Sequence, residues 1–220
     1  MFSLTRPSFT AAAAIYALAT AATVFGDCSP NKARYCAGTA GNATLNSTYV
    51  CDDPRLGPVV LPSNPPTEGL VEIYDRFGGL CPGQFLATFY DESAKSWIYP
   101  SDGGFQLDTA GDPIAAEMTL PVGLLIDRFG SEYGLYASPA AAPYMQRALP
   151  PSNLDTPAGN PAYPYNYHLY RVIDAFEVTA GPIAPWFGQP GQGVQYKLNA
   201  SILALIDGGF LERANLTALN

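Results

Sequence analysis

The apolar positions of this chain change character twice along its length. Residues Ala11–Val24 form an Ala-rich apolar stretch behind Arg6, and the small residues Val24 and Gly26 flank a cleavage point before Asp27. The stretch falls short of the ~20 apolar residues of a spanning helix, so the pattern predicts a secretory signal peptide over 1–26. Residues 27–105 show little periodicity and are rich in Cys and Pro, with short helices predicted near Gly69–Phe77 and Gly83–Tyr90. From 106 to 220 the signals become strands between Gly/Pro turns: Val122–Asp127, Tyr167–Ile173, Phe176–Thr179 and Val194–Leu198. Ser201–Ile206 reads as a short apolar helix stopped by Gly208-Gly209. Helix and strand segregate rather than alternate, which predicts an α+β fold and argues against a doubly wound nucleotide-binding sheet.

Charge narrows the functional classes. Eleven basic and nineteen acidic residues give a net charge of −8, against binding of nucleic acid or an anionic membrane. Charged residues make up only 14% of the chain, so the surface needs another source of hydration. The sequons at Asn42, Asn46, Asn199 and Asn215 are candidate N-glycosylation sites that would supply it. In an exported chain the four cysteines, Cys28, Cys36, Cys51 and Cys81, read as disulfides, with three possible connectivities. Short loops close most readily, which favours Cys28–Cys36 and Cys51–Cys81. No cysteine pair has the Cys-x-x-Cys spacing and there is a single histidine, so no metal site is expected.

The basic residues mark where the chemistry should lie. Between Arg128 and Arg171 stand three arginines and two acids, in a chain that is otherwise strongly acidic. A locally non-negative patch suits a small anion. Arg128 follows an apolar run in Asp127-Arg128-Phe129-Gly130, and Arg147 sits between Pro143 and Pro150-Pro151. A guanidinium on a proline-fixed loop loses little entropy on forking around a phosphate. The same two residues read equally as members of surface salt bridges. His168 is crowded by aromatics between Tyr163 and Tyr170 and reads first as a packed strand residue. Phe129 and Trp186 could stack on a planar heterocycle, although such rings are usually core. Gln195, on a short strand after a Gly-rich turn, is ordinarily an edge-strand side chain.

Taken in order, Asp127-Arg128-Phe129-Gly130, Gly134 with Tyr136, Pro143-Tyr144 with Arg147 and Leu149-Pro150-Pro151, Tyr167-His168 with Tyr170, and Ala184-Pro185-Trp186-Phe187 followed by Gln195-Tyr196 resemble the tuberculosis necrotizing toxin (TNT) domain. The signal peptide, the Cys-rich segment and Asp53-Pro54-Arg55-Leu56-Gly57-Pro58 resemble the fungal secreted surface NADases, and that likeness covers most of the mature chain. The resemblance implies an NAD⁺ glycohydrolase with catalysis-linked roles for Arg128, Arg147 and Gln195. Phe129, Tyr136, His168 and Trp186 are implied as supporting substrate contacts. It also implies a sheet "palm" with a helical "thumb", and commonly a homodimer. Some fungal relatives carry calcium in an acidic C-terminal extension, which is not expected here because the chain ends at Asn220 without an acidic tail.

That chemistry fits the inventory. The nicotinamide of NAD⁺ departs neutral, so no general acid is needed of the kind that paired carboxylates supply to ordinary glycosides. The protein has to hold the diphosphate, orient the ring and admit water. NAD⁺ or NADP⁺ is then substrate, and no cofactor is expected. Two other classes stay open: an NAD-dependent ADP-ribosyltransferase, and a non-catalytic secreted module that binds a surface.

Overall fold

The computed structural model describes residue 28, residues 35–41 and residues 48–214. The signal-peptide expectation over 1–26 and the sequons at Asn42, Asn46 and Asn215 lie outside the described residues. Among the described residues the helices α1 (Glu68–Val71), α2 (Pro82–Phe89) and α3 (Ile202–Asp207) accompany strands β1 to β9. The first two strands, β1 (Tyr90–Asp91) and β2 (Ser96–Trp97), form a small hairpin. The others are β3 (Ala116–Leu120), β4 (Leu125–Phe129), β5 (Tyr136–Pro139), β6 (Tyr167–Val172), β7 (Phe176–Pro182), β8 (Val194–Lys197) and β9 (Leu211–Arg213). They build one sheet in the order β3-β7-β8-β5-β4-β6-β9, with every neighbouring pair antiparallel. The fold is α+β, as the segregated pattern predicts.

Local chemistry sets the elements. Pro82 starts α2 with its fixed φ, and the Gln84 side chain accepts from the Cys81 backbone N–H at 3.1 Å. The helix turns Phe85 and Leu86 inward. Burial of side chains of that size stabilises the fold by about 1.5–3 kcal/mol each. Ser201 caps α3 by accepting from the Ala204 N–H, and Gly209, at φ +77°, ends it. The inner face of α3 places Ile202 and Leu205 against Ile126, Tyr170, Val178 and Tyr196 of the sheet.

A second cluster joins the N-terminal region to the Trp186–Phe187 segment. Leu56, Phe77, Phe85 and Leu86 surround Phe187, which is fully buried among the rings of Phe85, Phe89, Trp97 and Tyr99. The seam is held at backbone level as well. A Cβ on Gly78 would come within 2.3 Å of the Gly188 carbonyl oxygen, so only glycine permits this approach. The Asp53 carboxylate of the Asp53–Pro58 motif accepts from the Arg55 backbone and guanidinium, while that guanidinium lies over Tyr90 and reaches Glu92.

The disulfides are Cys28–Cys81 and Cys36–Cys51, which corrects the pairing favoured from loop length. Loop-closure entropy grows only logarithmically, so the two arrangements differ by about 1 kcal/mol on that count.

Candidate functional site

The open end of β4, β5 and β8 meets two loops, and between them lies a cavity of about 310 Å³. Arg128, Tyr136, Arg147 and Gln195 all line it, together with Tyr99, Gly103, Gly104 and Asn153. A narrow recess of about 40 Å³ adds Asp127 and Phe129 to the same walls. Residues nearly a hundred positions apart are thus brought together by strand pairing.

The two arginines differ sharply in their partners. Arg147 ends a single-turn 3₁₀ segment (Tyr144–Arg147) and is buried. Its Nη1 and Nη2 donate to the two oxygens of Asp127 at 2.5 and 2.9 Å. Nε and Nη2 also donate to the Ala142 carbonyl, and the guanidinium lies over the Phe129 ring at 5.1 Å. Asp127, itself 0% exposed, accepts in addition from the Ala141 N–H and the Tyr167 hydroxyl. Charge and hydrogen-bonding capacity are matched, and this corner is electrically close to neutral.

Arg128 has no carboxylate partner among the described residues. Its Nε donates to the Ser131 carbonyl at 2.8 Å and its Nη1 to the Tyr136 carbonyl at 2.6 Å. The remaining nitrogen, Nη2, rests over Gly134, where a Cβ would come within 2.0 Å of it. Burial pulls the guanidinium pKa down from its ordinary value, yet arginine remains charged at any physiological pH. Nη2 has no acceptor among the described residues, so Arg128 offers the cavity an unspent cation.

Two amides line the same cavity. Gln195 Nε2 donates to the Gly103 carbonyl at 2.8 Å, and Asn153 Nδ2 donates to the Phe129 carbonyl at 2.9 Å. Each donor end is therefore committed to backbone, and each side chain keeps its oxygen as an acceptor. Asn153 and the Gly103–Gly104 turn were missed from sequence. They sit in Pro- and Gly-rich loops with no periodic signal.

The other expected contacts lie further out. Phe129 is 1% exposed, its ring taken up by Tyr144, Tyr167 and Arg147. Trp186 stands outside the cavity, edge-on to Phe89, and its indole N–H donates to the Ile98 carbonyl at 2.6 Å. It thereby braces the wall that carries Tyr99. His168 pairs directly with Arg128 across β4 and β6, but its ring stacks on Tyr163 at 4.1 Å and lines a different concavity with Tyr170 and Arg213. Burial lowers its pKa, with Glu132 opposing. Asn199 is exposed. Among the described residues no group of three His, Cys, Asp or Glu side chains could hold a metal ion, and no helix is long and apolar enough to cross a membrane.

The chain is also similar in sequence to known proteins. The sequence profile of the tuberculosis necrotizing toxin family matches residues 119–214. The chain is 53% identical over 176 residues to the conidial surface nicotinamide adenine dinucleotide glycohydrolase nadA of Aspergillus fumigatus, covering 79% of this chain and 74% of that protein. A solved structure of tuberculosis necrotizing toxin complexed with its immunity factor is 18% identical. It covers 78% of this chain and 82% of that one, with a TM-score of 0.47.

Proposed function

The chain belongs to the tuberculosis necrotizing toxin family, and we propose that it is an exported NAD⁺ glycohydrolase acting outside the cell or at its surface. The observation that carries the reading is the cavity itself: Arg128, without a carboxylate partner among the described residues, lines it together with Gln195 and Asn153, whose amide oxygens are not committed to backbone. The substrate is NAD⁺, and NADP⁺ as well. The products are nicotinamide and ADP-ribose or its phosphate. A homodimer, which the family resemblance implies, completes the proposal.

Each part of the site has a task in such a reaction. Arg128 holds the diphosphate by charge-assisted hydrogen bonds, which are roughly twice as strong as neutral ones. The glycosidic electron pair goes to the nicotinamide, which leaves as a neutral molecule, and water captures the oxocarbenium-like ribose carbon, forming the new C–O bond and releasing a proton to solvent. The amide oxygen of Gln195 then presents partial negative charge where positive charge develops, or accepts from a ribose hydroxyl. Fixed dipoles of this kind stabilise a transition state without reorganising. Gly103 keeps the amide from rotating, since its carbonyl occupies the donor end. Arg147 acts differently from the sequence-based expectation: spent on Asp127, it fixes Phe129 and the Ala148–Leu149 wall.

Incubating the purified protein with NAD⁺ and resolving the products tests the proposal. Free nicotinamide with equimolar ADP-ribose is expected. ADP-ribose found attached to protein would replace hydrolysis by transfer, and unconsumed NAD⁺ would leave a binding module. In the same assay Gln195→Ala is expected to lose about 10²- to 10³-fold in kcat, the usual size for removal of one preorganised contact. Its melting temperature should stay near that of the parent. Unchanged kcat would remove Gln195 from the site.

A further inference from the structure

Arg128 is aimed without an acid to aim it. Its orientation depends on two carbonyls of the segment between β4 and β5, those of Ser131 and Tyr136, and on the bare surface of Gly134. A loop holding a cation this way must itself be held. The anchor is Glu132, outside the cavity. Its carboxylate receives Arg213 Nε at 2.8 Å and Nη2 at 2.5 Å from β9, and the Tyr170 hydroxyl at 3.2 Å from β6. Its backbone carbonyl accepts from the Leu203 N–H of α3 at 2.9 Å. The buried His168 Nδ1, without a hydrogen-bond partner, stands 3.7 Å from the same carboxylate. Three elements thus converge on one loop residue, β9 and β6 on its side chain and α3 on its backbone, beside the Ser131 whose carbonyl holds Arg128.

We infer that Glu132, clasped by Arg213, is a positioning residue that sets Arg128 for the substrate's diphosphate. The pair acts in two ways. It pins the loop whose carbonyls orient the Arg128 guanidinium, and it satisfies the Glu132 charge at Arg213 so that the carboxylate does not quench Arg128. The competing account is a partly exposed ion pair of the ordinary kind, which contributes little and touches only stability. This inference rests on the reading of Arg128 as the diphosphate grip.

A thermodynamic cycle separates these accounts. ADP-ribose binding is measured by calorimetry for the parent, Arg128→Ala, Glu132→Gln and the double variant, beside steady-state NAD⁺ hydrolysis. Glu132→Gln is expected to weaken ADP-ribose about 10-fold and to raise KM similarly, with kcat within about threefold. Because Glu132 works through Arg128, the double variant should bind no more weakly than Arg128→Ala alone. Additive losses, or unchanged binding in Glu132→Gln, would overturn the inference. Arg213→Gln provides the same cycle if Glu132→Gln does not fold. A parent that follows the binding cycle without consuming NAD⁺ would sink the hydrolase reading and leave this inference standing. Binding indifferent to Arg128→Ala would sink the diphosphate grip and this inference with it.

Discussion

Two arginines reach one cavity from corners built on opposite principles. At the corner of β4 and the β4–β5 loop, Arg128 is held by carbonyls alone, so its charge survives for a ligand. At the corner of the 144–147 turn, Arg147 is locked to the buried carboxylate of Asp127 and its charge is consumed by the fold. The residues are chemically identical and adjacent to the same space. What separates them is whether an acid stands within reach. An arginine near a cavity is a ligand-binding candidate only after its partners are accounted for.

The difference is broken most forcefully at Arg147. Arg147→Ala leaves Asp127 buried with only a backbone N–H and a tyrosine hydroxyl, and removing one partner of a buried pair costs about 3–5 kcal/mol. The variant is expected to melt far below the parent, or not to accumulate folded. Asp127→Asn combined with Arg147→Met should recover much of that loss, because no unpaired charge remains. Chemical denaturation of the three proteins checks this. An Arg147→Ala protein that melts normally and loses only activity would make the two corners alike.

The complementary change is Arg128→Lys. Lysine keeps the charge but lacks the fork that spans the Ser131 and Tyr136 carbonyls. Stability should change by less than about 1 kcal/mol, while kcat/KM for NAD⁺ falls roughly 10- to 150-fold, the kinetic equivalent of about 1.5–3 kcal/mol. A lysine variant with parental kcat/KM would show that Arg128 contributes charge without geometry.

Sequence made parts of this legible and hid others for physical reasons. Helices α2 and α3 and strands β6, β7 and β8 follow from apolar patterning and turn residues, and β4 is found shifted toward Phe129. Strand β3 was not foreseen because four of its five residues are exposed at the sheet edge, so no alternation marks it. Strand β5, which ends in Pro139, and strand β9 are too short to show a period. Arg128, Tyr136 and Gln195 could be named in advance, but their meeting depends on β5 pairing with β4 and β8. Asp127 is visible in sequence as the first residue of the Asp127–Gly130 motif but carries no role there, because it reads as the polar end of an apolar strand and falls one residue outside the arginine-rich window. That one residue is the partner that pairs with Arg147.

The converse of the Arg147 corner is an acid that lacks a guanidinium, and Asp155 supplies it. It closes the 3₁₀ turn Pro151–Leu154 that carries Asn153, and its Oδ1 is buried without a hydrogen-bond partner. Arg76 is near enough to oppose the effect but makes no salt bridge with it, and burial, the larger influence, raises the Asp155 pKa to about 7. In the unfolded chain an aspartate titrates near about 3.9. Between those values the folded protein holds a proton that the unfolded chain has released. Stability from this group is therefore complete below about pH 4, declines as pH rises to about 7, and is flat beyond. Allowing for its partial exposure, the swing should be about 2 kcal/mol. Asp155→Asn fixes the neutral form, so its advantage over the parent should be near zero at pH 4 and reach that size at pH 8. Urea unfolding of both proteins at the two pH values gives the comparison, in which every other titrating group cancels. A constant difference would mean that Asp155 stays ionised in the folded protein, and that its carboxylate, like that of Asp127, has found a compensating charge.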